Sequence, residues 1–231
     1  MANDIIDGII EAFYLLFTFD PEIWNIIEVS IRVSVLSTIV AALFAIPLGS
    51  FIALRDFRGK KTLTNIINTF MGFPPVVMGL IIYLLLSKSG PFGAFGFLYT
   101  TIAMMISQFL LATPIILGTT KAAIESVDPN LKETVLSLGA NERQLWLELV
   151  KDSKKSILAG YLVAFGQAIS EVGAVMIVGG NLRWHTRTFT TAIVQQTGNG
   201  QFGMAIALGV LLISITFILN YALTRLQMVK K

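Results

Sequence analysis

Between Asn181 and Thr191 the sequence sets Arg183, His185 and Arg187 among Thr186, Thr188, Thr190 and Thr191. Guanidinium groups beside short hydroxyl donors suit a doubly negative tetrahedral oxyanion. They equally suit an acidic surface on a partner protein. A solvated loop also carries such residues. Asn181, Arg183, Thr186 and Arg187 are therefore candidates for contact with an anion or a docking protein, with a solvated loop as the alternative. Glu171 stands inside an apolar run of span length. A charge placed there is costly and faces a partner or a wet cavity. Two expectations follow. Either Glu171 meets Arg32, directly or through water, or it is hydrogen-bonded to neighbouring backbone, Ser or Thr groups. A bare carboxylate repels an oxyanion, so Glu171 is not expected to be a ligand.

Other chemistry is excluded by composition. There is no cysteine and His185 is the single histidine, so disulfides, thiolate sites and a His-based metal cluster are not expected. No G-x-x-x-x-G-K-[ST] loop is present to cradle phosphates. His185 has no evident Ser or Cys partner, and no paired carboxylates lie at outward positions. No catalytic residue, metal or bound cofactor is expected, and any ATP would be held by a separate chain.

The elements that position these residues are apolar. The chain has 231 residues, 55% of them hydrophobic and 13% charged, with mean hydropathy +0.75. Soluble domains carry about 25% charged residues, so the fold class is an all-α membrane protein, with room for five or six spans of ~20 residues. Five core spans are expected at about 29–54, 62–87, 98–120, 157–179 and 203–224, within a membrane domain over 29–225. An extracytoplasmic segment, 1–28, precedes them. In it, residues 5–19 put Asp7 and Glu11 on one face and apolar residues on the other, as in a helix lying in the membrane interface. A sixth, tilted span is the alternative. Asp20-Pro21 is expected to end this helix.

A polar insert, 121–156, separates the third and fourth spans. Asp128-Pro129 signals a helix start, Gly139 a stop, and Asn141 with Gln144 a second start in capping-box spacing. Leu145, Trp146 and Leu149 form an apolar stripe available to a partner. Thirteen of the seventeen Lys and Arg residues fall in 55–61, the insert and the C-terminal tail, whereas the first 28 residues hold six acids and no base. The positive-inside rule then places the insert and C-terminus in the cytoplasm and the N-terminus outside, in a multi-pass inner-membrane protein. Pro47, Pro114 and Pro74-Pro75 are expected to kink spans. Phe73, Pro74 and Pro75 are also candidates for a gate.

These motifs carry a resemblance. Glu133-Thr134-Val135, three residues, then Gly139-Ala140 resembles the E-A-A…G motif of type I, binding-protein-dependent ABC-importer permeases. Two departures are visible: Thr134 and Val135 replace alanines, and Leu149 to Asp152 lacks the proline of the usual I-x-L-P. The first span, Val33 to Gly49, is also similar to that family. G-F-P-P-V-V-M-G from Gly72 to Gly79 and the E-V-G-A…G-G-N…T-R-T-x-T-T-A-I stretch from Glu171 resemble the oxyanion subgroup, tungstate permeases first, then molybdate. The resemblance covers residues 24–225. It implies that Glu133, Leu138, Gly139, Ala140, Leu145 and Trp146 couple to a cytoplasmic ATPase. It also implies a homodimer in the bilayer, two ATPase subunits, an extracytoplasmic oxyanion-binding protein, and tungstate as cargo, then molybdate or sulfate. Nucleic acid is not an expected partner. The competing class, an ATPase-independent secondary transporter or channel subunit, would show internal repeats and midplane charges. No repeat is visible, and only one deep charge. A purely structural subunit would leave the insert's helix signals without a role.

Overall fold

The computed structural model describes residues 20–228, together with Ile6, Ile9, Ile10, Tyr14 and Thr18. The interfacial helix expected over 5–19 therefore lies for the most part outside the described residues. The described residues form an all-helical fold with ten α-helices and one 3-10 turn. They are α1 (Pro21–Leu54), α2 (Lys60–Met71), α3 (Pro75–Leu86), α4 (Thr101–Glu125), α5 (Pro129–Ser137), α6 (Glu142–Asp152), α7 (Lys154–Ser170), α8 (Gly173–Gly179), α9 (Phe189–Gly198) and α10 (Phe202–Met228).

Three helices, α1, α4 and α10, are long and apolar enough to cross a bilayer alone. Two interrupted pairs, α2 with α3 and α7 with α8, bring the number to five if each pair is one span. The first interruption lies at Pro74-Pro75, where a kink was expected, and bends the pair by 96°; the second departs from the continuous helix expected over 157–179. In the first, Gly72 to Pro74 cannot propagate a helix: Pro74 is extended and Pro75 occupies the first turn of α3. In the second, the helix breaks at Glu171 and Val172 and the two halves meet at 54°.

α1 begins earlier than expected. The Asp20 carboxylate accepts from the backbone N–H groups of Glu22 at 2.9 Å and Ile23 at 3.0 Å. Asp followed by Pro is a helix start, so this dipeptide opens a 34-residue helix rather than simply ending the segment before it.

The chain divides into two compact units. The first comprises residues 1–36, 74–108 and 168–231. Its core sets Ile23, Ile26 and Ile27 of α1 against Phe189 and Ala192 of α9 and Ala207, Leu208 and Leu211 of α10. α3 and α8 pack at backbone distance: a Cβ on Gly79 would lie 2.6 Å from Ala174 Cα. Small residues let membrane helices approach this closely.

The second unit comprises 37–73 and 109–167. Ala41, Ala45 and Ile52 of α1, Ile67 of α2, Ala112, Ile115 and Ile116 of α4, and Ala164 of α7 make its main core. Gly49 serves there as Gly79 does in the first unit: a Cβ would lie 2.7 Å from the Leu117 carbonyl oxygen. A smaller cluster of Ile124, Leu145 and Leu149, flanked by Leu54, Leu131 and Val135, carries the polar insert.

Candidate functional site

The insert folds into α5 and α6 around a glycine turn. The Asp128 carboxylate accepts from Asn130 N–H at 2.9 Å, with Pro129 next in the chain. Gly139 takes φ 80°, a left-handed conformation in which a Cβ is strained. Asn141 and Gln144 form a reciprocal capping box, at 2.8 and 2.9 Å. Glu133, Leu138 and Gly139 are exposed, and Leu138 is the extreme case at 82%. Leu145 and Leu149 are buried in the second unit's small cluster. Their expected role as a stripe offered to a partner is corrected: they anchor the insert to its own chain. Trp146 and Ala140 are half-buried. The exposed apolar side chains left for a partner are Leu136, Leu138 and Leu147, of which Leu138 protrudes furthest.

Arg183, Arg187, Asn181 and Thr186 are brought together, but by bonds within the chain. Both arginines donate to the two oxygens of one carboxylate, that of Glu22 in the first turn of α1. Arg187 also donates to the Asn181 side-chain oxygen at 3.3 Å, and the Asn181 amide donates to Gln195 on α9 at 2.8 Å. Thr186 is buried, donating to the Gly179 carbonyl at 2.6 Å and accepting from Leu182 N–H at 2.9 Å. Asn181 and Trp184 both hold positive φ, 50° and 70°. The loop is thus pinned in an unusual backbone path rather than left open to an anion. Arg183 keeps 58% of its side chain exposed and lies over the Trp184 ring at 5.3 Å, whereas Arg187 keeps 12%.

The direct pair between Glu171 and Arg32 is not formed. Arg32 pairs with Glu28, one turn away on α1, at 3.3 Å. Glu171 Oε1 accepts from the backbone N–H of Ala174 at 3.0 Å. The carboxylate therefore fills the gap its own helix break opens. Two further side chains repair that break: Gln108 donates to the Ala168 carbonyl at 2.8 Å, and Thr190 donates to the Glu171 carbonyl at 2.8 Å. Unpaired backbone groups in a membrane cost several kcal/mol, which accounts for three polar partners at one interruption. Arg32 borders a polar cavity of about 370 Å³ that His185, Tyr99, Thr101 and Asn25 also line. Of the candidate gate residues, Phe73 stacks on Phe70 at 5.3 Å, and Pro74 and Pro75 lie at the break before α3.

Among the described residues no group of three or more His, Asp or Glu side chains could hold a metal ion. The model of the family described as "binding-protein-dependent transport system inner membrane component" matches residues 45–227. The chain belongs to this family. This inner membrane component is 39% identical to a tungstate uptake system permease protein, TupB, of Peptoclostridium acidaminophilum, over 96% of the chain and 98% of the relative. It is 35% identical to TupB of Campylobacter jejuni, over 96% and 93%. The molybdenum transport system permease protein ModB of Escherichia coli K12 is more distant, 28% identical over 80% and 85%. Among solved structures, the inward-facing MetNI methionine ABC transporter covers 90% of the chain and 96% of its own, with TM-score 0.70 and 15% identity. That likeness is one of fold.

Glu22 and Gln108 were not anticipated as members of these sites, and Thr190, one of the hydroxyls noted between Asn181 and Thr191, serves the break at Glu171 instead of an anion. Glu22 left one signal: it is an acid near the N-terminus of a chain whose outer loop carries unexpected arginines. Gln108 left none, because a polar residue in an apolar run becomes informative only when the broken backbone it serves is known.

Proposed function

We propose that this chain is the membrane subunit of an ATP-driven importer that carries a tetrahedral oxyanion into the cell, tungstate before molybdate or sulfate. The observation that carries this reading is the gradient of identity. The tungstate uptake permease of P. acidaminophilum matches almost end to end at 39%, against 28% over less of the chain for the molybdenum permease of E. coli. In this reading two copies pair to enclose the pathway, and each presents α5, Gly139 and α6 to a cytoplasmic ATPase that holds the ATP. Glu133, Leu138, Gly139 and Ala140 form the contact, Trp146 stands at its edge, and Leu145 holds α6 in place. The exposed Leu138 supports a docking role, and the capped geometry supports a lever of fixed angle. Approach of the ATPases turns the spans outward and hydrolysis returns them inward. Phe73, Pro74 and Pro75 serve as the pivot.

An extracytoplasmic binding protein delivers the anion on the side of Arg183 and His185. Arg183, largely exposed, contributes to that docking, while Arg187 holds the loop. The cavity beside Arg32 and His185 also holds Glu28, the partner of Arg32, so an entering anion meets hydroxyl groups and an arginine that is already paired. Glu171 is a structural cap. Tungstate and molybdate share charge and nearly share size, so discrimination belongs to the binding protein.

The test is uptake of tungsten and molybdenum by cells with and without this chain, at nanomolar supply. Loss of tungsten accumulation with retained molybdenum supports the reading. Unchanged tungsten uptake overturns it. Loss of both would extend the cargo to molybdate.

A further inference from the structure

Where α1 ends and α6 begins, the second unit has a cavity of about 470 Å³. One wall is apolar, made by Pro47, Phe51 and Leu54 from the last two turns of α1. The other is basic and aromatic: Arg55, just past α1, with Arg143 and Trp146 from the start of α6. We propose that this cavity binds an anionic phospholipid, with Arg143 and Arg55 on the phosphate and Phe51, Pro47 and Leu54 against its glycerol and acyl region.

The position is that of a headgroup. From Val33 to Leu54 the sequence of α1 has no charged residue, and Arg55 is the first after it. Arg55 therefore marks the level at which the helix leaves hydrocarbon. Phe51 is 56% exposed, one turn earlier, and a Trp at this level is typical of the membrane interface. Basic pockets next to spanning helices on this kind of boundary recognise lipid phosphates.

The charge fits too. Arg55 is paired with Glu142. The Arg143 side chain is exposed and makes no ion pair or hydrogen bond among the described residues. It also stands in the first turn of α6, where the helix dipole disfavours a cation. Two guanidiniums and one carboxylate leave a single positive charge in the cavity, the complement of a phosphodiester with one negative charge. A phosphate bound there takes Arg143 outright and competes with Glu142 for Arg55. A small soluble oxyanion would use the arginines but not the apolar wall. The inference is independent of which anion is transported.

The experiment uses the full-length chain purified with its partner subunits and stripped of lipid. Bound phosphatidylglycerol and phosphatidylcholine are counted by native mass spectrometry during titration. Phosphatidylglycerol is expected to bind more tightly by roughly fivefold per engaged arginine. Arg143→Gln should reduce that preference roughly fivefold, and Glu142→Gln, which frees Arg55, should strengthen it. The Glu142 variant gains binding, so misfolding cannot imitate it. Equal retention of the two lipids, an unaffected Arg143→Gln variant or weaker binding in Glu142→Gln would overturn the proposal. So would glycerol 1-phosphate or inorganic phosphate displacing phosphatidylglycerol at equal concentration, because the site would then belong to a soluble anion.

Discussion

Arg187 Nη1 donates to Glu22 Oε1 at 2.7 Å across 165 positions of sequence. This bond fastens the loop after α8 to the first turn of α1. It also determines what the loop's arginines can do, since each has a carboxylate oxygen already.

The two arginines should differ in their effect on stability. Arg187 keeps 12% of its side chain exposed and Glu22 27%, so removing Arg187 leaves a half-buried carboxylate with the exposed Arg183 as its remaining ion-pair partner among the described residues. Arg187→Met is expected to cost about 2 kcal/mol, below the 3–5 kcal/mol of a fully buried pair because Glu22 retains some solvent. Arg183→Met should cost under about 1 kcal/mol, as exposed pairs do. Tryptophan fluorescence during denaturant titration would measure both. Equal losses would contradict the division between a holding and a docking arginine. Transport by Arg183→Met should be less stimulated by the binding protein.

Glu171 is assigned to capping α8 through Oε1. Glu171→Gln keeps a carbonyl oxygen for Ala174 N–H and should fold and transport like the parent. Glu171→Ala should lose about 1 kcal/mol, the usual cost of an emptied cap, and Gln108→Leu about 1–3 kcal/mol for an orphaned carbonyl. If Glu171→Gln fails as badly as Glu171→Ala, the charge itself matters and capping is not its role.

The insert gives a separable pair. Leu138→Ser should leave the chain's melting temperature unchanged but weaken co-purification of the ATPase. Leu149→Ala, at a site 2% exposed, should destabilise the insert by about 2–5 kcal/mol. An ATPase retained by Leu138→Ser, Gly139→Pro and Glu133→Lys alike would remove α5 and α6 from the coupling role.

Close packing predicts which glycines tolerate a methyl group. Gly79→Ala drives a Cβ onto the Ala174 backbone, whereas Gly198 has open space around it. The first change should abolish accumulation of folded protein in the membrane and the second should not. Size-exclusion profiles of the two variants decide the matter.

Much of this was legible in the order of residues alone. An α-helix satisfies its own backbone, and a bilayer demands that it do so. Composition and the spacing of apolar runs therefore announce an all-helical membrane fold without reference to any contact. Helix caps are equally local: Asp128-Pro129, Gly139 and the Asn141–Gln144 box act within four residues, and all three features are where their spacing puts them.

What only the tertiary structure decided involves residues far apart in the chain. The interruption at Glu171 is tolerable because Gln108 and Thr190 reach it from other elements. Arg183 and Arg187 looked free for an anion because Glu22 lies more than 160 positions away. Leu145 and Leu149 looked like a surface stripe because periodicity marks an apolar face without saying which chain covers it. A pattern reports that a group needs a partner, and only the fold supplies the partner's identity.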